Sequence, residues 1–327
     1  MPTHHCVKHK MKSANLRTII LSGITVVLIA AFVYYLYLNA DRYLELLHLS
    51  TTGVLVIFLL SLVFPLISGS ITTFLFRGLG VDLSFRDGFL LNAASTLANQ
   101  LPISGGIISR GFYLKRKYDL SYSKFLSATV ALFLCFIGTN GLIGLVILLG
   151  GIFIRQVVVS AALLFGFAAM AACLLIFWLP IDRIRLPDRI GKLLDQAVEG
   201  WTLISKNPGL LLNLIGLQLS LLISLAIRYW LAFHMLSQNV TLSDVMLFST
   251  ATILTQLVSL APGGLGVREA IVGAVASALG FETGASIVAV GLDRLVSTIP
   301  ILVIGGISTL ILGKQISDLS IKVEGYE

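Results

Sequence analysis

Six apolar stretches of this chain each exceed the roughly 20 residues that an α-helix needs to cross the hydrocarbon core of a membrane. They cover residues 18–38, 54–76, 125–154, 157–179, 210–236 and 285–312. Hydrophobic residues make up 57% of the sequence and charged residues only 12%, about half the charged fraction of an average soluble domain. We therefore predict an all-α polytopic membrane protein with six full spans.

A Gly-Gly-x-x-x-Arg element occurs twice, at residues 105–110 and 263–268, and each copy breaks a further apolar region. The arms on either side of a break contain roughly 12–17 residues and reach about 18–25 Å, which is short of the ~30 Å hydrocarbon core. We predict that residues 88–118 and 244–279 form two re-entrant helical hairpins. Short paired helices that span the membrane are the alternative.

The basic residues indicate how the spans are oriented, because positively charged loops stay on the cytoplasmic side of a membrane. With a cytoplasmic N-terminus, the cytoplasmic loops hold Arg77, Arg86, Lys115, Arg116, Lys117, Lys124, Arg183, Arg185, Arg189, Lys192, Lys206, Lys314 and Lys322. The opposite face keeps Arg42 and Arg155, with Arg228 near a helix end. We predict a multi-pass protein of the cell membrane with both termini cytoplasmic.

This topology divides the membrane region into two repeats of opposite orientation. Each repeat contains two spans, a hairpin and a further span, and the first hairpin enters from the cytoplasm while the second enters from the outside. The predicted segments are a cytoplasmic tail (1–16), a first repeat (17–154), a second repeat (155–313) and a second cytoplasmic tail (314–327). Inverted repeats with broken helices near the midplane are a common transporter architecture.

Residues 187–206 lie between the spans of the second repeat and are too polar to cross a membrane. Pro187 is well placed to open a helix, and the apolar residues that follow form one stripe along it. We predict an amphipathic helix on the cytoplasmic interface. A linker helix docked on the bundle is the alternative, and the pattern favours neither.

Four ionisable residues of the second repeat fall at membrane depth, namely Arg268, Glu269, Asp293 and Arg294. In the first repeat, Arg110 occupies the place that matches Arg268. Such residues face the bundle interior, because an unpaired charge in lipid is costly. One interpretation is two structural ion pairs, Arg268 with Asp293 and Glu269 with Arg294. The other is an arginine that is left partly free to hold an anionic group through a forked pair of hydrogen bonds.

The second interpretation predicts a substrate site at the two breaks, where glycine lets a ligand approach the backbone and helix N-termini favour an anion. The predicted substrate-binding residues are Arg110, Arg268, Gly105, Gly106, Gly263, Gly264 and Gly266. The residues predicted to position the arginines or to couple movement to protons are Glu269, Asp293 and Arg294. The predicted polar lining residues are Asn99, Gln100 and Gln256, for which hydrogen bonding between helices is the alternative.

The sequence lacks the motifs that other classes of function require. The sequence has no nucleotide-binding glycine loop, no paired catalytic carboxylates and no metal-ligand spacing, so we predict no metal, no cofactor and no enzyme activity. The basic residues sit in short loops and form no stripe for nucleic acid. The sequence does not indicate an oligomeric state.

Three motifs together resemble a known family. They are Pro-Gly-Gly-Leu-Gly-Val-Arg-Glu at residues 262–269, Gly-Leu-Asp-Arg at 291–294 and Leu-Pro-x-x-Gly-Gly at 101–106. The chain resembles the flippase-like membrane domain of lysylphosphatidylglycerol synthases as a stand-alone member, and is similar to membrane regions attached to archaeal glycosyltransferases of N-glycan assembly. The resemblance implies movement of a lipid between leaflets. Because the sequence ends at Glu327, we expect it to lack the soluble lysyltransferase domain.

The predicted function is therefore a flippase or transporter of an anionic phospholipid or polyprenyl-linked lipid, whose phosphate the arginines at the hairpin tips would hold. The alternative is a non-transporting membrane partner that recruits a glycosyltransferase or a lipid synthase. A third possibility is an enzyme acting on lipid phosphate with Glu269 as general base, but no nucleophile or metal cluster accompanies this residue.

Overall fold

The computed structural model describes residues 50–100, 105–155, 160–177, 188–256 and 266–324. Within these residues the chain forms helices and no strand. The predicted first span, residues 18–38, lies outside the described part. The described part of the fold is therefore all-helical, as the apolar stretches predict.

In chain order, the helices of the described part are α1 (Thr51–Gly78), α2 (Phe85–Ala98), α3 (Gly105–Tyr118), α4 (Tyr122–Arg155), α5 (Ala161–Ala172), α6 (Asp188–Ser205), α7 (Pro208–Met235), α8 (Leu242–Ala251), α9 (Val267–Ala278) and α10 (Thr283–Glu324). Two 3₁₀ turns, Cys173–Phe177 and Thr252–Gln256, extend α5 and α8.

Side chains at the N-termini explain where several of these helices begin. The Ser84 hydroxyl accepts a hydrogen bond from the Asp87 N–H at the start of α2. Asn207 does the same for the Leu210 N–H, and Pro208 then occupies the first turn of α7, where its missing N–H costs nothing. Thr241 and Asp244 form a reciprocal capping box at the start of α8.

Four helices are long and apolar enough to cross a membrane: Thr51–Gly78, Tyr122–Phe153, Pro208–Met235 and Thr283–Gln315. They correspond to four of the six predicted spans. The predicted span at residues 157–179 is described only in part, as a shorter apolar helical segment over Ala161–Leu175. The chain is therefore an integral membrane protein in which four spans are evident, and a span count of six stays a prediction.

The two predicted hairpins consist of short helices. In the first, α2 and α3 contain 14 residues each, and in the second, α9 contains 12. At about 1.5 Å per residue these helices are roughly 18–21 Å long, less than the ~30 Å of a hydrocarbon core. Their lengths fit a re-entrant path, which stays a prediction.

Helices α2 and α8 each contact long helices of both halves of the chain. Helix α2 packs on α1 of its own half and on α10, the last helix of the other half. Helix α8 packs in the same way on α7 of its own half and on α4 of the other. The contacts of α2 and α8 therefore match, and each of these helices packs against long helices of both halves. A duplicated unit stays a prediction.

Helix α6 docks on α4. The Ser127 hydroxyl donates to Glu199 Oε2 at 2.8 Å, and Ile204 is buried. A Cβ added at Gly200 would lie 2.0 Å from the Ser127 carbonyl oxygen, so only glycine permits this approach of the two helices. The packing is that of a linker helix docked on the bundle. A position on the cytoplasmic interface stays a prediction.

Candidate functional site

A cavity of about 240 Å³ lies among the long helices. The four spanning helices each line it with residues near their own middle, including Ser61 of α1, Asn140 of α4, Leu222 of α7 and Ile301 of α10. The cavity therefore lies near mid-depth of the bundle, where the binding sites of transporters with broken helices are also found.

Arg228 and Asp293 form a buried ion pair at the wall of this cavity. Arg228 of α7 donates from Nε to Asp293 Oδ1 at 2.7 Å and from Nη2 to Oδ2 at 2.8 Å. The side chains are 5% and 0% exposed. Arg228 also lines the cavity. The forked geometry uses both carboxylate oxygens and leaves Nη1 of the guanidinium without a hydrogen bond to any described residue.

Arg268 reaches the same cavity from the second break. Gly266, which precedes α9, has a φ of 80°, a left-handed conformation that glycine adopts without strain. Arg268 then donates from Nε to the Tyr229 hydroxyl at 2.7 Å, and its guanidinium lies over the Tyr229 ring at 5.3 Å. Its Nη2 approaches Asp293 Oδ2 at 3.6 Å, so this carboxylate faces two arginines.

Glu269 and Arg294 form the other ion pair of the cluster. Arg294 Nη1 donates to both carboxylate oxygens of Glu269, at 3.0 and 3.2 Å. The Glu269 side chain is 3% exposed. This pair joins α9 to α10, as the first interpretation of the sequence predicts. Neither carboxylate of the cluster, Asp293 or Glu269, is among the cavity-lining residues.

Among the described residues, the positive groups of this cluster outnumber the negative ones. Three arginines (Arg228, Arg268 and Arg294) face two carboxylates (Asp293 and Glu269), a difference of one charge within the described part of the chain. Two of the arginines face the cavity. An excess charge inside a membrane bundle is costly without a counter-ion, so the cluster favours an anionic ligand.

The rest of the cavity wall is part apolar and part neutral polar. The described apolar lining residues are Phe64, Leu221, Leu222, Leu225, Ile253 and Ile301. The neutral polar ones are Ser61, Asn140, Gln218, Ser224, Ser249, Thr252, Thr255 and Ser297. Most of these hydroxyls donate to carbonyls of their own helix, as Thr252 does to Ser249. The Ser224 hydroxyl is buried without any partner among the described residues.

Arg110, the counterpart of Arg268 in the first half, does not line this cavity. Its Nη2 donates to Asn92 Oδ1 of α2 at 3.2 Å, and the same oxygen accepts from the Thr72 hydroxyl of α1. Its Nε and the Asn92 amide nitrogen are buried without partners among the described residues. The structure thus places the two arginines of the repeated element in different surroundings.

The other predicted site residues are distributed as follows. Asn99 Oδ1 accepts a hydrogen bond from the Gly106 N–H at 2.9 Å, so Asn99 closes the first hairpin and this N–H is not available to a ligand. Gly105 begins α3 beside it, and neither Asn99 nor Gln100 lines the cavity. The predicted residues outside the described part are Gly263 and Gly264, together with the side chain of Gln256.

Arg228 and Tyr229 are central to the site but are not among the site residues that the sequence predicts. The charge pattern places Arg228 near a helix end, yet this residue is buried within α7. A signal was present, because an arginine inside the apolar stretch 210–236 needs a partner at membrane depth. Tyr229 and Ser224 gave no signal, since a tyrosine or a serine in a span commonly packs or bonds within its own helix.

Comparison with known proteins relates this chain to membrane proteins. The chain is 24% identical over 328 residues to a UPF0104 membrane protein of Methanocaldococcus jannaschii, a match that covers 89% of this chain and 96% of the relative. No solved structure gives a significant match. The model of the family described as lysylphosphatidylglycerol synthase TM region matches residues 15–305. The chain belongs to this lysylphosphatidylglycerol synthase transmembrane-region family.

Proposed function

We propose that this chain moves an anionic phospholipid or polyprenyl-linked lipid between the leaflets of the cell membrane. Arg268 and Arg228 hold the lipid phosphate in the central cavity. The observation that carries the proposal is the pair of cavity-facing arginines in a cluster whose described residues include one more arginine than carboxylates. A phosphate group neutralises that charge and accepts hydrogen bonds from two guanidinium groups at once.

The size of the cavity supports binding of a headgroup and not of a whole lipid. At about 240 Å³, it is smaller than the ~300–1,000 Å³ of pockets for drug-sized ligands. The acyl chains therefore stay in the bilayer while the headgroup enters. Rocking of the two halves around the cavity then alternates its access between the leaflets, the mode of movement of many inverted-repeat transporters.

The test is leaflet exchange in phosphatidylcholine vesicles that contain the purified full-length chain. The probes are phosphatidylglycerol and a polyprenyl phosphate, each with a fluorophore on its hydrocarbon chain. We expect the wild type to move at least one probe and Arg268→Ala to slow this movement about tenfold or more, since it removes a charged hydrogen-bond donor. Arg86→Ala, which removes an exposed arginine of α2, is the matched control and should move lipid like the wild type.

Two results would contradict the proposal. If folded wild-type protein moves no probe above the rate of empty vesicles, the non-transporting partner becomes the better interpretation. If Arg268→Ala moves lipid at the wild-type rate, transport stands but its site is elsewhere.

A further inference from the structure

We propose that the lipid headgroup reaches the central cavity along the seam between α2 and α10, and that a latch of Tyr113, Lys117 and Gln315 closes this route at one end of the bundle. In this structure the route is closed. The inference rests on the proposed function, because it gives the site that holds the phosphate a way in from one face of the membrane.

One face of α10 connects the cavity to the end of the bundle. Ile301 lines the central cavity, and Gly305, one turn further along, lines a second space of about 10 Å³ against Ala93 of α2. Ser308 and Gln315 follow on the same face, since residues three, four or seven apart share one side of a helix. From Ile301 to Gln315 the helix rises about 21 Å, so this face extends from mid-depth to the end of the span.

The small space adjoins the central cavity. Ser61, Phe64 and Ile301 line both of them. Its wall comes from α1 and α2 in the first half of the chain and from α10 in the second. At about 10 Å³ it has room for about one water molecule. A headgroup therefore passes only when α2 and α10 separate.

Beyond the small space the seam is closely packed. A Cβ added at Gly305 would lie 2.7 Å from Leu97 Cβ and 3.0 Å from the Ala93 carbonyl oxygen. Ser308 is 1% exposed, and its hydroxyl has no hydrogen-bond partner among the described residues. A buried hydroxyl without a partner is costly, and water or a headgroup would satisfy it when the seam opens. The closed seam thus contains a polar group that suits an open one.

The latch lies where the seam ends. Gln315 is the last residue of the spanning part of α10. Its Oε1 accepts a hydrogen bond from the Tyr113 hydroxyl at 2.8 Å and one from the Lys117 ammonium at 3.3 Å. Both donors belong to α3, and Tyr113 is buried. These two bonds therefore join the first hairpin to the last helix, at the end of the bundle that the charge pattern predicts to be cytoplasmic.

The ionic contacts of the latch stay within the first half. Lys117 forms an ion pair with Asp87 of α2 at 2.9 Å, and Tyr118 donates to the same carboxylate at 2.7 Å. The ammonium also lies 5.4 Å from the ring centroids of Tyr113 and Tyr118. When α10 moves away, only the two bonds to the neutral Gln315 amide break, and neither charge loses its ionic partner. Such a closure opens at a lower cost than an ion pair between the halves would.

Thiol labelling of a Ser308→Cys variant measures opening of the seam. The full-length chain, with Cys6, Cys135 and Cys173 replaced by alanine, is placed in vesicles. A charged, membrane-impermeant methanethiosulfonate is added to both faces. We expect Gln315→Leu to raise the labelling rate about tenfold and Gln315→Glu to lower it about tenfold. Leucine removes both bonds across the seam, whereas glutamate accepts the same two bonds with a negative charge.

The control and the contrary outcomes are clear. Tyr118→Phe removes a hydroxyl of the same cluster whose bond to Asp87 does not cross the seam, so its labelling rate should equal that of the native latch. Equal rates in all these backgrounds would overturn the latch. So would a complete lack of labelling over a time in which the unfolded chain reacts fully. Misfolding cannot mimic the slower labelling expected of Gln315→Glu, because unfolding exposes the thiol.

A double-variant cycle tests the contact between Tyr113 and Gln315. Tyr113→Phe removes their hydrogen bond from the α3 side and should also speed labelling of the thiol. Because the two substitutions remove one shared bond, the double variant Tyr113→Phe/Gln315→Leu should label about as fast as Gln315→Leu alone. If the two effects multiply in the double variant, the residues act independently and the latch is overturned.

Lipid movement separates this inference from the proposed function. In the leaflet-exchange assay, Gln315→Glu should slow the probe that the wild type moves by about tenfold, and Tyr118→Phe should leave the rate unchanged. If Gln315→Glu slows labelling but moves lipid at the wild-type rate, the seam is not the route, and the proposed function stands. If the wild type moves no probe, the proposed function fails, whereas the labelling rates still decide whether the latch opens.

Discussion

Asp293 accepts two hydrogen bonds from the Arg228 guanidinium, at 2.7 and 2.8 Å, although the two residues are 65 positions apart in the sequence. The pair joins α7 to α10 in the interior of the bundle. Asp293 also lies 3.6 Å from Nη2 of Arg268. One carboxylate thereby fixes the positions of both arginines that face the cavity, and the integrity of the fold and the charge of the site depend on the same residue.

Removal of Arg228 should destabilise the fold strongly. Arg228→Ala leaves Asp293 buried with only the longer contact to Arg268, and loss of one partner of a buried pair costs about 3–5 kcal/mol. The double variant Arg228→Gln/Asp293→Asn replaces the pair by neutral groups of similar shape and should lose less stability than the single variant. Thermal unfolding in detergent measures both. If the double variant loses as much stability as Arg228→Ala or more, the cost does not come from the buried Asp293 carboxylate that has lost its main partner.

The Tyr229 hydroxyl should matter for lipid movement. Tyr229→Phe keeps the ring beneath Arg268 but removes the oxygen that accepts from Nε at 2.7 Å. Because a hydrogen bond to a charged group contributes about 1.5–3 kcal/mol, we expect transport of an anionic lipid to fall about tenfold. Tyr118→Phe removes a hydroxyl outside the cavity, one that donates to Asp87, and serves as the control. Equal transport by the two variants would contradict the role of Tyr229.

The first hairpin should not tolerate a side chain at Gly106. A Cβ there would lie 2.3 Å from the Ser95 carbonyl oxygen and 2.4 Å from Asn99 Oδ1. Gly106→Ala should therefore cost about 1–3 kcal/mol, the usual range for overpacking. Gly306→Ala places its methyl group on α10 with no atom within 4 Å, and it should be neutral or slightly stabilising. Thermal unfolding compares the two, and similar Tm values would show that α2 and α3 can separate at this point.

Asp87 should make stability depend on pH in the acid range. Burial raises the pKa of this carboxyl, but hydrogen bonds from Tyr118 and Lys117 outweigh burial and hold the pKa below its ordinary value of 3.8. A carboxyl with a lowered pKa in the folded state stabilises the protein above its unfolded pKa, and that contribution is lost as the pH falls below about 3.8. Asp87→Asn should thus be less stable than the wild type at neutral pH.

The measurement for Asp87 is the Tm of both proteins in detergent from neutral pH to about pH 3. The difference between them should shrink as the pH falls, because protonation of Asp87 weakens its bond to Lys117, whose Nζ lies 2.9 Å from Oδ2. A difference that stays constant over this range would contradict the assignment.

The sequence alone was sufficient to predict a helical membrane protein and several of the charged residues in its candidate site. The apolar stretches predicted the four long helices, because exclusion of charge over the length of a span is a property of composition. The first copy of the repeated element located the break between α2 and α3, and the second copy leads into the start of α9. The presence of Glu269 and Arg294 at membrane depth indicated that they need partners, and the structure pairs them with each other.

Only the tertiary structure decided which charges meet. The rotation of α7 against α10 brings Arg228, and not Arg268, into the two-bond contact with Asp293, and no spacing within either helix encodes that rotation. The same packing leaves Arg110 beside Asn92 and outside the cavity, although its motif is repeated at Arg268. A sequence determines that a buried charge must find a partner, because desolvation is costly wherever it occurs. The choice of partner depends on how the faces of distant helices pack, which is a property of the whole bundle.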